Sequence, residues 1–243
     1  MCTVTFIPVT HGVCFTSNRD EQAGRVPADF PALHQVNGEL VLFPKDQQAG
    51  GTWMAVHASG NVAVLLNGAQ RRHHYSPPYA KSRGLIVLDL ISQKSPVQGF
   101  EEMEFSGIEP FSIILFEDNK LYVGFWDGTK KILEKRSIHQ SHIWSSVTLY
   151  DPAAVAKRAG WFQKWRSDNP QPDQASILHF HEFGGEGNSH NDLRMNRDEK
   201  LLTQSISSAW ITKESVIFRY QDLRTGKSSE QLMPVQKAIA VKS

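Results

Sequence analysis

Short runs of apolar and β-branched residues, bounded by turn residues, recur along the chain and read as strands, and only three stretches read as helices. Residues 2–7 and 12–17, divided by Pro8 and His11-Gly12, read as a hairpin that carries Asn18, Arg19 and Asp20 back beside the start of the chain. Residues 25–35 hold Pro27 and Pro31 with no helical period and read as an extended surface excursion. Strands follow at 40–43 and, as a second hairpin, around 53–56 and 61–66. Beyond a polar loop at 70–82, Leu85, Leu88 and Ile91 mark a helix over 84–94. Residues 111–116, 121–126 and 130–134 form a three-stranded meander, and 142–149 another strand. Asp151 caps a helix with Pro152 in its first turn, carried on Val155, Ala159, Phe162 and Trp165 to about Ser167. A further helix spans 173–183. Gly184 to Ser189 is a glycine-rich loop suited to a lid, and strands return at 201–207, 215–221 and 228–232.

Groups of strands separated by helices, without regular alternation, predict an α+β fold of antiparallel sheets covered by helices. No linker or repeat divides the chain, so residues 1–243 are expected to form one domain. Asn196-Arg197-Asp198-Glu199 repeats the tetrapeptide that begins at Asn18, but its flanks differ, and it is read as chance.

Composition changes this picture little. With 26 basic and 25 acidic side chains among 243 residues, the net charge of +1 supplies no field for nucleic acid or an anionic membrane. The expected partner is a small-molecule substrate or ligand; nothing fixes the oligomeric state. No apolar run approaches the length of a membrane span, and no secretory leader is evident, so the expected location is cytoplasmic. Cys2 and Cys14 are both expected as reduced thiols.

The candidate chemistry starts at Cys2. If Met1 is removed, a thiol and an α-amino group with an ordinary pKa of about 8 lie on one residue, a nucleophile beside a base. A retained Met1 would leave an amide nitrogen there, which is no base.

Met1-Cys2, Asn18-Arg19-Asp20-Glu21, the stretch from Asp46 to Gly50-Gly51-Thr52-Trp53, Asn67 after an apolar strand, and Ser82-Arg83-Gly84 before a helix resemble, in order, the NRDE family, which includes the transport-and-Golgi-organisation 2 relatives. That family is similar to the N-terminal nucleophile hydrolases, near the bile-salt hydrolases and penicillin V acylases. The resemblance implies a four-layer αββα sandwich and an amidohydrolase cleaving a small-molecule C–N bond. It implies Cys2 as nucleophile, Asp20 as the carboxylate that contacts it and Asn67 as an oxyanion donor. Ser146 falls where the acylases carry another asparagine. Arg19 precedes Asp20 by one position where the acylases use three, so in a strand the two are expected on opposite faces. Arg194, Arg197 and Arg219 are the candidates for the acylases' late arginine. Asn18, Thr52 and Trp53 are expected to contact substrate.

No cofactor or metal is expected. The ten histidines include His73-His74 and His179-Phe180-His181, but His179 and His181 point about 200° apart on a helix, and neither pair has partners at metal-ligand spacing. Arg71-Arg72 reads as a solvated loop. The alternative function is a non-catalytic binding protein for haem or a lipid-like ligand, with His73, His74 or His142 as ligands.

Overall fold

Val9 pairs with Gly12 across a turn in which His11 adopts φ 66°, closing strands β1 (Thr3–Val9) and β2 (Gly12–Gln22) as the first hairpin. This computed structural model describes residues 3–236. The chain then builds a complete second sheet in sequence order: β3 (Ala32–Val36), β4 (Glu39–Phe43), β5 (Met54–His57), β6 (Val62–Asn67), β7 (Phe111–Glu117), β8 (Lys120–Trp126) and β9 (Lys131–Arg136), all antiparallel. Helices α1 (Arg83–Ile91) and α2 (Pro96–Glu102) leave this meander between β6 and β7 and pack back onto it.

After β9 the chain returns to the first sheet. Strand β10 (His142–Ser145) pairs with β1, and helices α3 (Pro152–Asp168) and α4 (Gln174–Phe183) follow. Next come β11 (Asn196–Arg197), β12 (Leu201–Thr212), β13 (Ser215–Asp222) and β14 (Ser228–Pro234). The order across this sheet is β10-β1-β2-β12-β13-β14, with β11 on the free length of β12. Helices α3 and α4 cover its outer face. The result is the expected α+β sandwich in four layers: α1 and α2, the meander, the first sheet, then α3 and α4.

Between the sheets Phe6 and Phe15 meet Phe116, with ring centroids 6.3 and 5.7 Å apart. Full burial of each such side chain contributes about 1.5–3 kcal/mol relative to exposure. Since Phe15 faces the meander, period two sends Ser17 and Arg19 the same way and turns Cys14, Thr16, Asn18 and Asp20 toward α3 and α4.

Four features differ from the sequence reading. The excursion at 25–35 ends in β3, an edge strand with mostly exposed or half-buried side chains. Helix α2 is only seven residues long, too short to show a period, and it is announced instead by the Ser95 cap and Pro96. Strand β10 stops at Ser145 because the Ser146 carbonyl accepts from Leu149 and Tyr150 N–H, turning the chain. Strand β12 runs on to Thr212 because it lies between β2 and β13, where both edges of its backbone are paired. No helix among the described residues is long and apolar enough to cross a membrane.

Candidate active site

Where β2 and β6 end and β5 and α1 begin, a cavity of about 370 Å³ opens between the layers. Arg19, Thr52, Trp53 and Asn67 line it, together with Asp46, Arg25, Arg83 and Glu109. One wall is backbone. Gly51 and Gly84 approach so closely that a Cβ on Gly51 would stand 2.3 Å from the Gly84 carbonyl carbon, and Thr52 N–H donates to the Gly84 carbonyl at 3.1 Å. This contact carries the start of α1, capped by Ser82, to the cavity edge.

Arg19 is fixed from three sides. It donates to Asp46 Oδ2 at 2.7 Å and to Gln204 Oε1 at 2.8 Å, and its guanidinium lies 4.8 Å from the Trp53 ring centroid. Gln204 reaches it because β12 bulges between Thr203 and Ser205. Asp46 also accepts from Arg25 and from the N–H groups of Gln48 and Ala49. Burial pushes the Asp46 carboxyl up, but Arg25, the Ala49 N–H and Arg19 outweigh it and hold it below the ordinary carboxylate range. Arg83 pairs with Glu109 at 3.1 Å on the opposite wall. Thr52 donates its hydroxyl to the Pro44 carbonyl at 2.7 Å, and Trp53 Nε1–H donates to Ser207 Oγ at 3.3 Å.

Ser146 joins the two sheets at this end, donating Oγ–H to the Asn67 carbonyl at 2.7 Å. The Asn67 side-chain amide takes no hydrogen bond among the described residues and borders the cavity. Thr3 opens β1 opposite Asn18 of β2 and Ser145 of β10. Met1 and Cys2 lie outside the described residues.

Asn18 and Asp20 stand on the other face of β2, as expected from their alternation with Arg19. Asp20, 2% exposed, accepts from Tyr150 OH at 2.7 Å and from Thr203 Oγ1 at 2.5 Å. Asn18 was expected to touch substrate and does not line the cavity: its Nδ2 donates to the His181 and Leu193 carbonyls at 3.0 and 2.7 Å, and its Oδ1 meets His181 Nδ1. His181 completes this network with Thr5 Oγ1 at 2.8 Å. Burial, then Arg158, drives its pKa down to about 3, so the ring is neutral. With Asn18 Oδ1 as acceptor, the network assigns the ring proton to Nδ1, leaving Nε2 to accept from Thr5.

Other expectations fall elsewhere. The glycine loop at 184–189 does not line the cavity; Lys157 holds Glu186, and Asp192 accepts from the Glu186 N–H at 2.9 Å, which fixes the loop beside α3 and α4. Arg194 and Arg219 make ion pairs with Glu182 and Glu230, and Arg197 donates to the Leu149 and His190 carbonyls. None of the three borders the cavity. Nor do His73, His74 or His142; His73 pairs with Glu109 at 3.2 Å, and His142 meets the Ser137 carbonyl at 2.7 Å. Cys14 is a free thiol buried on the α4 side, and burial pushes its pKa up to about 11. No cluster of three or more His, Cys, Asp or Glu side chains suited to a metal occurs among the described residues.

Sequence reasoning missed Arg158. On α3 the buried stripe is Ala154, Arg158 and Phe162, at spacings of four, rather than Val155, Ala159 and Phe162. A charged residue in phase with two apolar ones was the available signal.

Two mutant forms of the conjugated bile acid hydrolase from Clostridium perfringens share this fold. One superposes with a TM-score of 0.61 at 12% identity, over 98% of this chain and 97% of its own. The other gives 0.62 at 13%, over 95% and 92%. The N-acylethanolamine-hydrolyzing acid amidase ortholog of Caenorhabditis elegans gives 0.57 at 12%, over 85% and 92%. At such identities the likeness speaks for the fold, which is that of the N-terminal nucleophile hydrolases. No curated protein sequence matches the chain significantly. The family model for Transport and Golgi organisation 2 does match, over residues 1–221, and the chain belongs to that family.

Proposed function

We propose that the protein is an amidohydrolase that cleaves a small-molecule C–N bond, with Cys2 as nucleophile once Met1 has been removed. One observation carries the reading: β1 begins at Thr3 between Asn18 and Ser145, so the next positions of its neighbours are Arg19, which enters the cavity, and Ser146, which holds Asn67. This supports the reading because the candidate nucleophile directly precedes Thr3 in the sequence.

In this mechanism the free α-amine of Cys2 takes the thiol proton, and the thiolate attacks the substrate carbonyl carbon. The carbonyl π pair moves onto oxygen, and the Asn67 side-chain N–H stabilises that oxyanion, a contact typically worth about 2.7–4 kcal/mol in the transition state. The C–N bond breaks as the ammonium returns its proton to the leaving amine, giving a thioester. Water, deprotonated by the amine, then releases the acid and restores the thiol. Asp20 steadies the ammonium between steps. Arg19 and Trp53 shape the pocket that receives the acyl group.

The test combines intact mass, which should show loss of Met1, with hydrolysis of a panel of N-acyl amides of graded chain length. Cys2→Ala should lower the rate by more than about 10³-fold. Iodoacetamide near neutral pH should label Cys2 and spare Cys14, whose buried thiol stays protonated. Equal hydrolysis by Cys2→Ala and wild type would overturn the mechanism.

A further inference from the structure

One carboxylate of the cavity lining serves two guanidiniums. Asp46 pairs with Arg19 at 2.7 Å and with Arg25 at 3.0 Å, and among the described residues neither arginine has another ion-pair partner. This cluster therefore keeps one positive charge that no carboxylate answers. Elsewhere in the lining the balance is reversed: Arg83 pairs with Glu109 at 3.1 Å, and Glu109 and Glu21 both favour its charge. Lys81, the remaining cation, is matched by Asp89. The surplus is most accessible at Arg25, whose side chain is 24% exposed against 4% for Arg19. Arg19 also holds Gln204 and the Trp53 ring, whereas the buried Nε–H of Arg25 finds no acceptor among the described residues. The Arg25 backbone is fixed just beyond β2: its N–H donates to the Gln22 carbonyl at 2.9 Å, and its carbonyl accepts from Arg224 at 3.0 Å. Against seven charged side chains, the described lining sets only Trp53, Leu65 and Tyr79 as large apolar or aromatic ones.

We propose that this cavity binds small amides that carry a carboxylate, with Arg25 as the residue that selects the carboxylate, and that it disfavours neutral amides of long alkyl chains. The inference rests on the reading of the protein as an amidohydrolase and narrows its substrates to acidic ones. A carboxylate set against Arg25 neutralises the surplus charge of the cluster and gives the unpartnered Nε–H an acceptor. Hydrogen bonds between two charged groups are about twice as strong as those between neutral ones, so a neutral carboxamide in the same place gains less. An alkyl chain would strip water from the guanidinium and return neither a charge nor an acceptor. Asp46 cannot serve both arginines fully, because its two oxygens are also shared with the Gln48 and Ala49 N–H groups. A ligand carboxylate therefore completes the cluster and does not compete with it.

The experiment measures binding by calorimetry in Cys2→Ala, so that no turnover intrudes. The probes are N-butanoylalanine, with its carboxylate on the amine side, and N-propylsuccinamic acid, with its carboxylate on the acyl side. Each is compared with the neutral ligand in which a primary carboxamide replaces the carboxylate. At least one acid should bind about tenfold more tightly than its carboxamide at pH 7. Adding Arg25→Gln should bring that ratio close to one, and adding Arg25→Lys should restore most of it. A purely structural Arg25 predicts that acid and carboxamide weaken together with their ratio intact, and that result overturns the proposal. In case the Arg25→Gln protein does not fold, the comparison on the native arginine decides: no preference for either acid, or tighter binding of neutral N-decanoylpropylamine than of both acids, refutes the idea. Turnover by wild type separates the two readings. Hydrolysis of the amides without preference for the acids overturns the carboxylate subsite alone; preferred binding of an acid that wild type never hydrolyses overturns the amidohydrolase reading and leaves the subsite standing.

Discussion

The two faces of β2 carry equally polar residues and use them in opposite ways. Toward the meander, Arg19 borders an open cavity and holds Asp46 and Gln204 at its edge. Toward α3 and α4, Asn18 is sealed, with bonds to a helix carbonyl and a loop carbonyl, while Asp20 beside it accepts from a tyrosine and a threonine. Four consecutive residues, Asn18 to Glu21, therefore form two half-motifs. Arg19 builds the pocket, and Asn18 anchors the strand beneath it. A polar tetrapeptide in a strand says little about a site until its alternation is resolved against the two layers.

The comparison breaks most sharply at the cavity. Asn67→Ala removes a side-chain amide that no described residue uses, so kcat for amide hydrolysis should fall about 10²–10³-fold while the denaturation midpoint stays near wild type. Asn18→Ala should do the reverse. It strips partners from two carbonyls and from His181 Nδ1, and should cost about 3 kcal/mol in urea unfolding with a small change in kcat. If Asn18→Ala lowers kcat as strongly as Asn67→Ala does, the division between the two faces is false.

A smaller effect sharpens the division by pH. His181 titrates near 6.5 in the unfolded chain and at about 3 when folded, so unfolding takes up a proton between those values. Stability from its neutral burial is fully present above about 6.5 and is lost as pH falls toward 3, by at most about 1.4 kcal/mol per pH unit. His181→Gln should flatten that slope in denaturation measured across the window. An unchanged slope would mean that the ring is already charged in the folded state.

Much of the fold was legible because its strands are local partners. The hairpin at His11-Gly12 and the meander through Asp118-Asn119 need only apolar or β-branched runs and turn residues. Asp151 and Asp173 mark their helices because each side chain caps its own first turn, accepting from Ala154 and Ser176 N–H. Ser95-Pro96 carried the same signal for α2, where seven residues and Gly99 hid the period. Strand β12 resisted reading because its length depends on β2 and β13, far away in sequence.

In the site, Arg19, Thr52, Trp53 and Asn67 could be named from motifs, and all four border one cavity. Asp46 lay within the quoted stretch without a role, and Glu109 had no motif. Each gains its place through an ion pair with a residue from another part of the chain, Arg19 and Arg83 respectively. For Arg158 only its phase on α3 was visible; its partners come from β1 and from the loop at 191–192, more than 30 positions away in sequence.

The Gly51–Gly84 contact bears on how this pocket can change. Two backbones touching without side chains act as a fixed gauge, because any Cβ on Gly51 would collide with peptide atoms that cannot swing aside. The spacing between the mouth of β5 and the start of α1 is therefore not adjustable by substitution there. What the aperture admits is then set by the side chains hung around it.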